Sequence, residues 1–429
     1  MLTSRTHRSS RRAGLLLGTL VALVGVLAAC GDGSSTAPDR AVTPATTTTP
    51  PAPGPGMTAD LSSPPPNDSL PQPTVTTPAP TRTTGKADDG DPTAGMTLAE
   101  KVGQLFMVGA AVNDPPAATY RAVSTYHVGS VILVGRSTQG VTATRKTSDA
   151  LQAARADGAP DLFVAVDQEG GNIQVLRGPG FSTMPAALEQ GTWAVSRLRS
   201  QAETWGAQLH DAGVNLNLSP VMDVVPSPAD NASNAPIGYW HRQFGYTPAV
   251  VVPHANAFGD GMRAAGVGDT VKHFPGLGRV TGNTDFTSGV TDTVTKPGDP
   301  YVETFAAGMK NHPTAVMTST AIYANIDPKN PGAFSSKVVT GLLRDDMGWD
   351  GLVITDDVSA AKQVSAWTPA ERAVKSIAAG NDIVLAGNPD QIPAMTAAVV
   401  AHAKTDPEFA QQVDASARRV LDAKASVLG

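Results

Sequence analysis

The sequence predicts an α/β fold, a (β/α)8 barrel of the TIM type, on three observations. Eight short, β-branched runs recur along residues 96–429, and they are continuously apolar rather than alternating. That is the pattern of strands buried on both faces of a parallel sheet. Longer segments with helical period separate most of them, and three of these close on Gly directly before the next run. Eight such units in a chain of 429 residues favour a closed barrel over an open sheet. No G-x-G-x-x-G follows a strand, which argues against a dinucleotide fold.

The chain opens with an address. Arg5, Arg8, Arg11 and Arg12 form a basic stretch, Ala13 to Ala29 is an apolar run without charge, and the run ends in Leu27-Ala28-Ala29-Cys30. This is the pattern of a secretory signal peptide closing in a lipobox. The run falls short of the roughly 20 residues that a membrane span needs. Residues 1–29 are therefore expected to be a signal peptide. Cys30 is expected to carry acyl chains that hold the protein extracytoplasmically, on the outer face of a bacterial membrane.

Residues 30–95 read as a tether. Between Gly31 and Gly95 there is no aromatic residue and no isoleucine, while Thr and Pro dominate, as in Thr46-Thr47-Thr48-Thr49-Pro50-Pro51. Such a composition cannot bury enough apolar surface to offset chain entropy, so disorder is expected. Residues 96–429 are then the folded domain.

Composition excludes several function classes. The chain is 41% apolar, enough for a sizeable core, but only 16% charged with a net charge of −6. It lacks the basic footprint of a nucleic-acid binder. A single cysteine rules out an internal disulfide framework and any multi-cysteine metal site. There is no HExxH. No metal, nucleotide or flavin is implied, and a monomer is expected.

The expected strands are Leu105–Val108, Ser130–Val134, Leu162–Val166, Val214–Val221, Asp269–Phe274, Ala315–Ser319, Leu352–Thr355 and Asp382–Leu385. Among the helices, Leu198, Ala202, Trp205, Leu209 and Ala212 recur at spacings of four, three, four and three. Gly213, Gly266 and Gly380 sit at the expected C-caps. Polar residues gather just after the strands: Asp167, Asp223, the Lys272-His273 pair, Thr318-Ser319-Thr320, and Asp356-Asp357. The C-terminal strand ends of a β/α barrel carry its chemistry. Capping alone explains one such carboxylate, not three with a Lys-His pair.

These residues carry a family resemblance. Lys272-His273-Phe274-Pro275-Gly276-Leu277-Gly278 resembles the KHFPGHG motif of glycoside hydrolase family 3, in its single-domain β-N-acetylglucosaminidase branch. Asp167-Gln168-Glu169-Gly170-Gly171 is similar to that branch's DQEGG. Val353-Ile354-Thr355-Asp356-Asp357-Val358 is similar to its (V/I)-x-(S/T)-D-D-(L/V). Met96 to Leu105 resembles its opening MTLEEKIGQL, and Ile237-Gly238 with Arg242-Gln243-Phe244-Gly245 resembles IG…RSFG. The five motifs occur in family order, from Met96 to about Gly387.

The resemblance implies roles. Asp356 stands where the family places its nucleophile, while Asp357 is expected to cap the next helix. Lys272, His273, Asp167 and Arg242 match residues that bind sugar hydroxyls. Asp223 is expected to hold a loop. Two departures stand out. The branch continues KHFPGHG with x4-D-S-H, whose His is the acid/base; here those positions read Asn283-Thr284-Asp285. Asp285 is the candidate acid/base on a loop made pliable by Gly276, Gly278, Gly282 and Gly289, with Asn283 orienting it. A second arginine after DQEGG is also missing: its position reads Val175, with Arg177 the nearest substitute.

The reading is a retaining exo-β-N-acetylglucosaminidase acting on GlcNAc-terminated peptidoglycan fragments beside the wall. The alternatives on this scaffold are a β-glucosidase or other exo-glycosidase, a glycoside phosphorylase, and a non-catalytic muropeptide-binding lipoprotein.

Overall fold

The computed structural model describes residues 90–429. The signal segment 1–29, Cys30 and all but the last residues of the tether lie outside them. Packed structure begins a little upstream of Met96. Thr93 is buried, its backbone N–H and hydroxyl both donate to Asp91, and Asp91 pairs with Arg418 at 2.9 Å.

Eight parallel strands form the barrel: β1 Phe106–Ala111, β2 Ser130–Val134, β3 Phe163–Val166, β4 Leu216–Asn217, β5 Gly268–Phe274, β6 Ala315–Thr318, β7 Leu352–Thr355 and β8 Val384–Ala386. Each pairs with its sequence neighbour, and β1 also pairs with β8. A parallel bridge between Ile354 and Ile383 joins β7 to β8, completing the circle. The predicted fold class is the one observed.

The continuous apolar pattern has a direct cause. Met107, Ile132, Phe163, Ala165, Met317, Ile354 and Leu385 fill the barrel interior. The residues between them, such as Val108, Val131, Val164, Val316 and Val353, pack against the surrounding helices. Each strand thus buries both faces, so no polar alternation survives. The C-terminal helix Pro407–Leu428 crosses the barrel floor and adds Val420 to the interior cluster.

The helix Val195–Asp211 buries Leu198, Ala202, Trp205 and Leu209, the stripe read from their spacing. Gly213, Gly266 and Gly380 have φ of +75°, +77° and +111°, as helix-ending glycines require.

One strand is much shorter than expected. Of Val214–Val221 only Leu216–Asn217 is strand, with one further bridge from Val221 to Lys272. Pro220 has no N–H to donate to the ladder. The side-chain oxygens of Asn215 and Asn217 accept the N–H groups of Val164 and Gln168 at 2.8 and 3.1 Å, in place of backbone partners. Hydropathy reads residue type and is blind to that substitution.

Candidate active site

A cavity of about 510 Å³ opens at the C-terminal ends of the strands. That size suits a small ligand. It brings together Asp167, Arg242, Lys272, His273, Asp285 and Asp356, the six residues for which the sequence suggested a catalytic or sugar-binding role.

Asp167 follows β3 and accepts a bond from Lys272 Nζ at 2.6 Å. Directly after it, the chain turns back in a short antiparallel pair, Gln168–Gly170 with Ile173–Gln174. Gly170 and Gly171 take φ of +109° and +56° at the turn, and a Cβ on Gly170 would meet the Pro185 carbonyl oxygen at 2.2 Å. The buried Gln168 side chain closes the turn, bonding both the N–H and the C=O of Leu176.

This turn buries Glu169, which sequence reasoning quoted inside DQEGG without giving it a role. Arg242 donates to both its oxygens, at 2.9 and 2.7 Å, and Lys272 Nζ lies 2.7 Å away. Burial alone would raise the Glu169 carboxyl, but Arg242 and Lys272 outweigh it and hold it at about 2. Burial likewise works to lower Arg242 and Lys272. The carboxylates prevail, Glu169 first for Arg242 and Asp167 first for Lys272, so both cations are raised and stay charged.

Lys272 and His273 lie near the end of β5, where the register against β6 shifts between Val271 and Phe274. The irregularity lets two successive side chains reach one cavity, which a regular strand forbids. Asp223 is fully buried and accepts from His273 Nδ1 at 2.7 Å and from the Leu277 N–H at 2.7 Å. A carboxylate only accepts, so Nδ1 carries the proton. Nε2 then faces Arg242 Nη2 at 3.3 Å as an acceptor. Asp223 therefore holds a loop, as expected, and also sets the tautomer of His273.

Asp356 directly follows β7, its backbone N–H tied to the Thr318 carbonyl at 2.9 Å. Asp357 does not cap a helix. Its Oδ1 accepts from the N–H and hydroxyl of Ser359 and from the Gly387 N–H, closing a turn and tying β7 to β8. It also reaches the cavity edge. Thr318 and Ser319 are structural: Thr318 donates to Asn381, and Ser319 accepts the Ala321 N–H.

Asp285 stands at the cavity mouth, exposed outward and crowded by protein on the inward side. Burial there, then repulsion from Asp356, pushes its carboxyl up to about 6. The loop is less pliable than its glycines suggest. The Lys362 and Gln363 N–H groups donate to the carbonyls of Asp285 and Thr284, and the Gln363 side chain accepts from the N–H of Val290 and donates to its C=O. A Cβ on Gly278 would meet the Val224 carbonyl oxygen at 1.9 Å, so that glycine serves close approach rather than motion. Asn283 accepts the Asp285 backbone N–H at 2.8 Å and so shapes the turn, leaving the carboxyl unheld.

The arginine missing at Val175 is not replaced by Arg177, which bonds the carbonyls of Gly171 and Gln174 away from the cavity. Arg136, at the end of β2, lines the cavity instead and bonds the Asn172 carbonyl at 2.8 Å. Its position one Gly beyond an apolar run was the available signal. Trp240 and Phe286 at the mouth were also missed, because isolated aromatics carry no motif. Among the described residues no group of three His, Cys, Asp or Glu side chains is placed to hold a metal, and no helix is long and apolar enough to cross a membrane.

A barrel whose strand ends present two carboxylates beside a fixed set of charged hydrogen-bonding groups has close counterparts. The chain is 34% identical over 310 residues to Beta-hexosaminidase LpqI of Mycobacterium tuberculosis, covering 69% of this chain and 74% of that protein. Its fold matches the crystal structure of a β-N-acetylhexosaminidase from Beutenbergia cavernae at 55% identity and a TM-score of 0.76, across 77% of this chain and 99% of that one. It also matches a family 3 β-N-acetylglucosaminidase from Paenibacillus at 27% identity and a TM-score of 0.71, across 78% and 63%. The model of the glycosyl hydrolase family 3 N-terminal domain matches residues 97–423, taking in every strand of the barrel and every residue of the cavity. The chain belongs to glycosyl hydrolase family 3.

Proposed function

We propose that this glycoside hydrolase is a retaining exo-β-N-acetylglucosaminidase that removes terminal β-linked GlcNAc from peptidoglycan fragments. The names of its relatives support the sugar. The observation that carries the mechanism is the pairing of Asp285, raised to about 6, with Asp356 in one cavity. Two carboxyls in different environments suit opposite proton duties.

In this reading Asp356, as carboxylate, attacks the anomeric carbon. Asp285, protonated, gives its proton to the glycosidic oxygen as the bond to the leaving group breaks. A glycosyl ester on Asp356 remains. Asp285, now a carboxylate, takes a proton from water, and the oxygen of that water attacks the anomeric carbon and releases Asp356. Two inversions give net retention. Asp167, Lys272, His273 and Arg242 hold the sugar hydroxyls. Glu169 and Asp167 balance the two cations before substrate arrives, so the set needs little reorganisation when it binds.

The sequence of residues 1–30 supports export and anchoring through Cys30, which puts the enzyme outside the membrane, beside the wall. A relative from Arthroderma benhamiae, 29% identical, is named a secreted glycosyl hydrolase. The deciding experiment compares an aryl β-GlcNAc glycoside with the aryl β-glucoside, each with and without phosphate. Release from the first alone, unchanged by phosphate and with β-GlcNAc as the first product, is expected. Preference for glucose, a phosphate requirement or no release would each replace this reading.

A further inference from the structure

Among the large apolar side chains that the described residues expose, Tyr239, Trp240 and Phe286 gather at the cavity mouth. Their exposures are 61%, 39% and 80%. Trp240 and Phe286 line the cavity itself, and Tyr239 meets Trp240 edge-on with ring centres 5.0 Å apart. A single exposed aromatic needs no explanation, but a cluster beside a site does.

The two lining rings come from different loops that are held in one arrangement. Trp240 ends the short helix Gly238–Trp240 after β4, and Phe286 lies on the loop after β5. The buried Asn234 joins the two loops. Its amide donates to the carbonyls of Leu277 and Val280 at 2.8 and 2.7 Å, and its oxygen accepts the N–H groups of Ile237 and Gly238 at 3.2 and 2.6 Å. A small apolar core of Ile237, Leu277, Val280 and Val290 sits under the same junction. The two loops that carry the rings are therefore tied to each other.

Phe286 directly follows Asp285, the group read as the acid. A general acid must lie within hydrogen-bond reach of the glycosidic oxygen. Whatever is attached to that oxygen on the far side of the scissile bond then lies beside Phe286. A pyranose fits there: its C–H faces suit aromatic rings, while its hydroxyls remain in water at the rim. We infer that Phe286 and Trp240 form the binding platform for the leaving-group sugar, so that the enzyme selects GlcNAc joined to a second pyranose over GlcNAc on a small aglycone. This rests on the hexosaminidase reading and on Asp285 as its acid. It adds the residues that read the far side of the bond.

The test uses two substrates and, beside the unaltered protein, three variants. N-acetyl-β-glucosaminyl fluoride has no leaving-group ring and little need of an acid; N,N′-diacetylchitobiose has both. Phe286→Ala is expected to lower kcat/KM on the disaccharide about 10-fold, with a loss at least five times that on the fluoride. Most of it should appear in KM, and Phe286→Tyr should restore it. Trp240→Ala should show the same bias. Equal losses on the two substrates, or no loss on the disaccharide, would overturn the platform while leaving the hexosaminidase reading intact. If the unaltered protein cleaves neither substrate, both readings fall together.

Discussion

Arg242 grips Glu169 with two parallel hydrogen bonds, at 2.9 and 2.7 Å, and Lys272 closes on the same carboxylate at 2.7 Å. One buried carboxylate thus orients two of the cations that face the cavity, both from later in the chain, with Arg242 73 residues on. Breaking such a pair leaves an uncompensated buried charge.

Glu169→Gln keeps the shape and removes the charge. It is expected to cost about 3–5 kcal/mol of stability, the usual penalty for one orphaned partner. Thermal denaturation reads this directly. On the protein that remains folded, KM for an aryl β-GlcNAc glycoside should rise, because Arg242 no longer has a fixed direction.

Asp285→Ala should separate substrates by leaving group. A glycoside with a poor leaving group should lose roughly 10²–10⁴-fold in kcat/KM, and an activated one much less in its first step. Azide should then rescue turnover of the activated substrate with a β-glycosyl azide as product. Equal small losses and no rescue would remove Asp285 from the mechanism.

In the proposed mechanism the same carboxyl sets the alkaline side of the pH profile, because it is raised from its ordinary value to about 6 and is used there in its protonated form. Activity on the poor substrate should therefore fall as pH rises through about 6. Asp356→Asn removes one of the charges that raise it, and nuclear magnetic resonance titration of Asp285 in that variant should show a lower midpoint.

Asp356→Ala should abolish turnover while leaving the thermal midpoint near that of the unaltered protein, since its side chain lines an open cavity. A fluorinated glycosyl fluoride should leave its sugar on the peptide that contains Asp356. Labelling of a different carboxylate would reassign the nucleophile.

Lys424 offers a test of the barrel floor. Its ammonium is buried beneath the barrel, bonded to Gln104 Oε1 at 2.7 Å with Phe163 as a neighbour at 6.0 Å. Burial, and then Arg155, lowers it from 10.5 to about 7. Between those values the unfolded chain binds the extra proton, so stability should rise as pH goes from about 7 toward 10. Below 7 both states are protonated and the full penalty remains. Lys424→Met should flatten the rise in thermal midpoint.

Sequence alone determined the barrel, its strand sites and the helix-ending glycines. Those depend on apolar periodicity and backbone conformation, which are local properties of residue type. It also supplied the motif positions that converge on the cavity, because every strand of a β/α barrel delivers its C-terminal end to the same face. What it could not weigh was contact between distant segments. The role of Glu169 exists only once a turn after β3 meets Arg242 and Lys272. Arg136 takes the place near Val175 only because β2 lies beside β3. Gly278, which read as pliability, proved to be a close approach to the Val224 carbonyl, and Asn283 shapes the turn instead of holding the Asp285 carboxyl. Each of these depends on which groups share a low-dielectric space, where charge pairing and desolvation are decided by distance through space rather than along the chain.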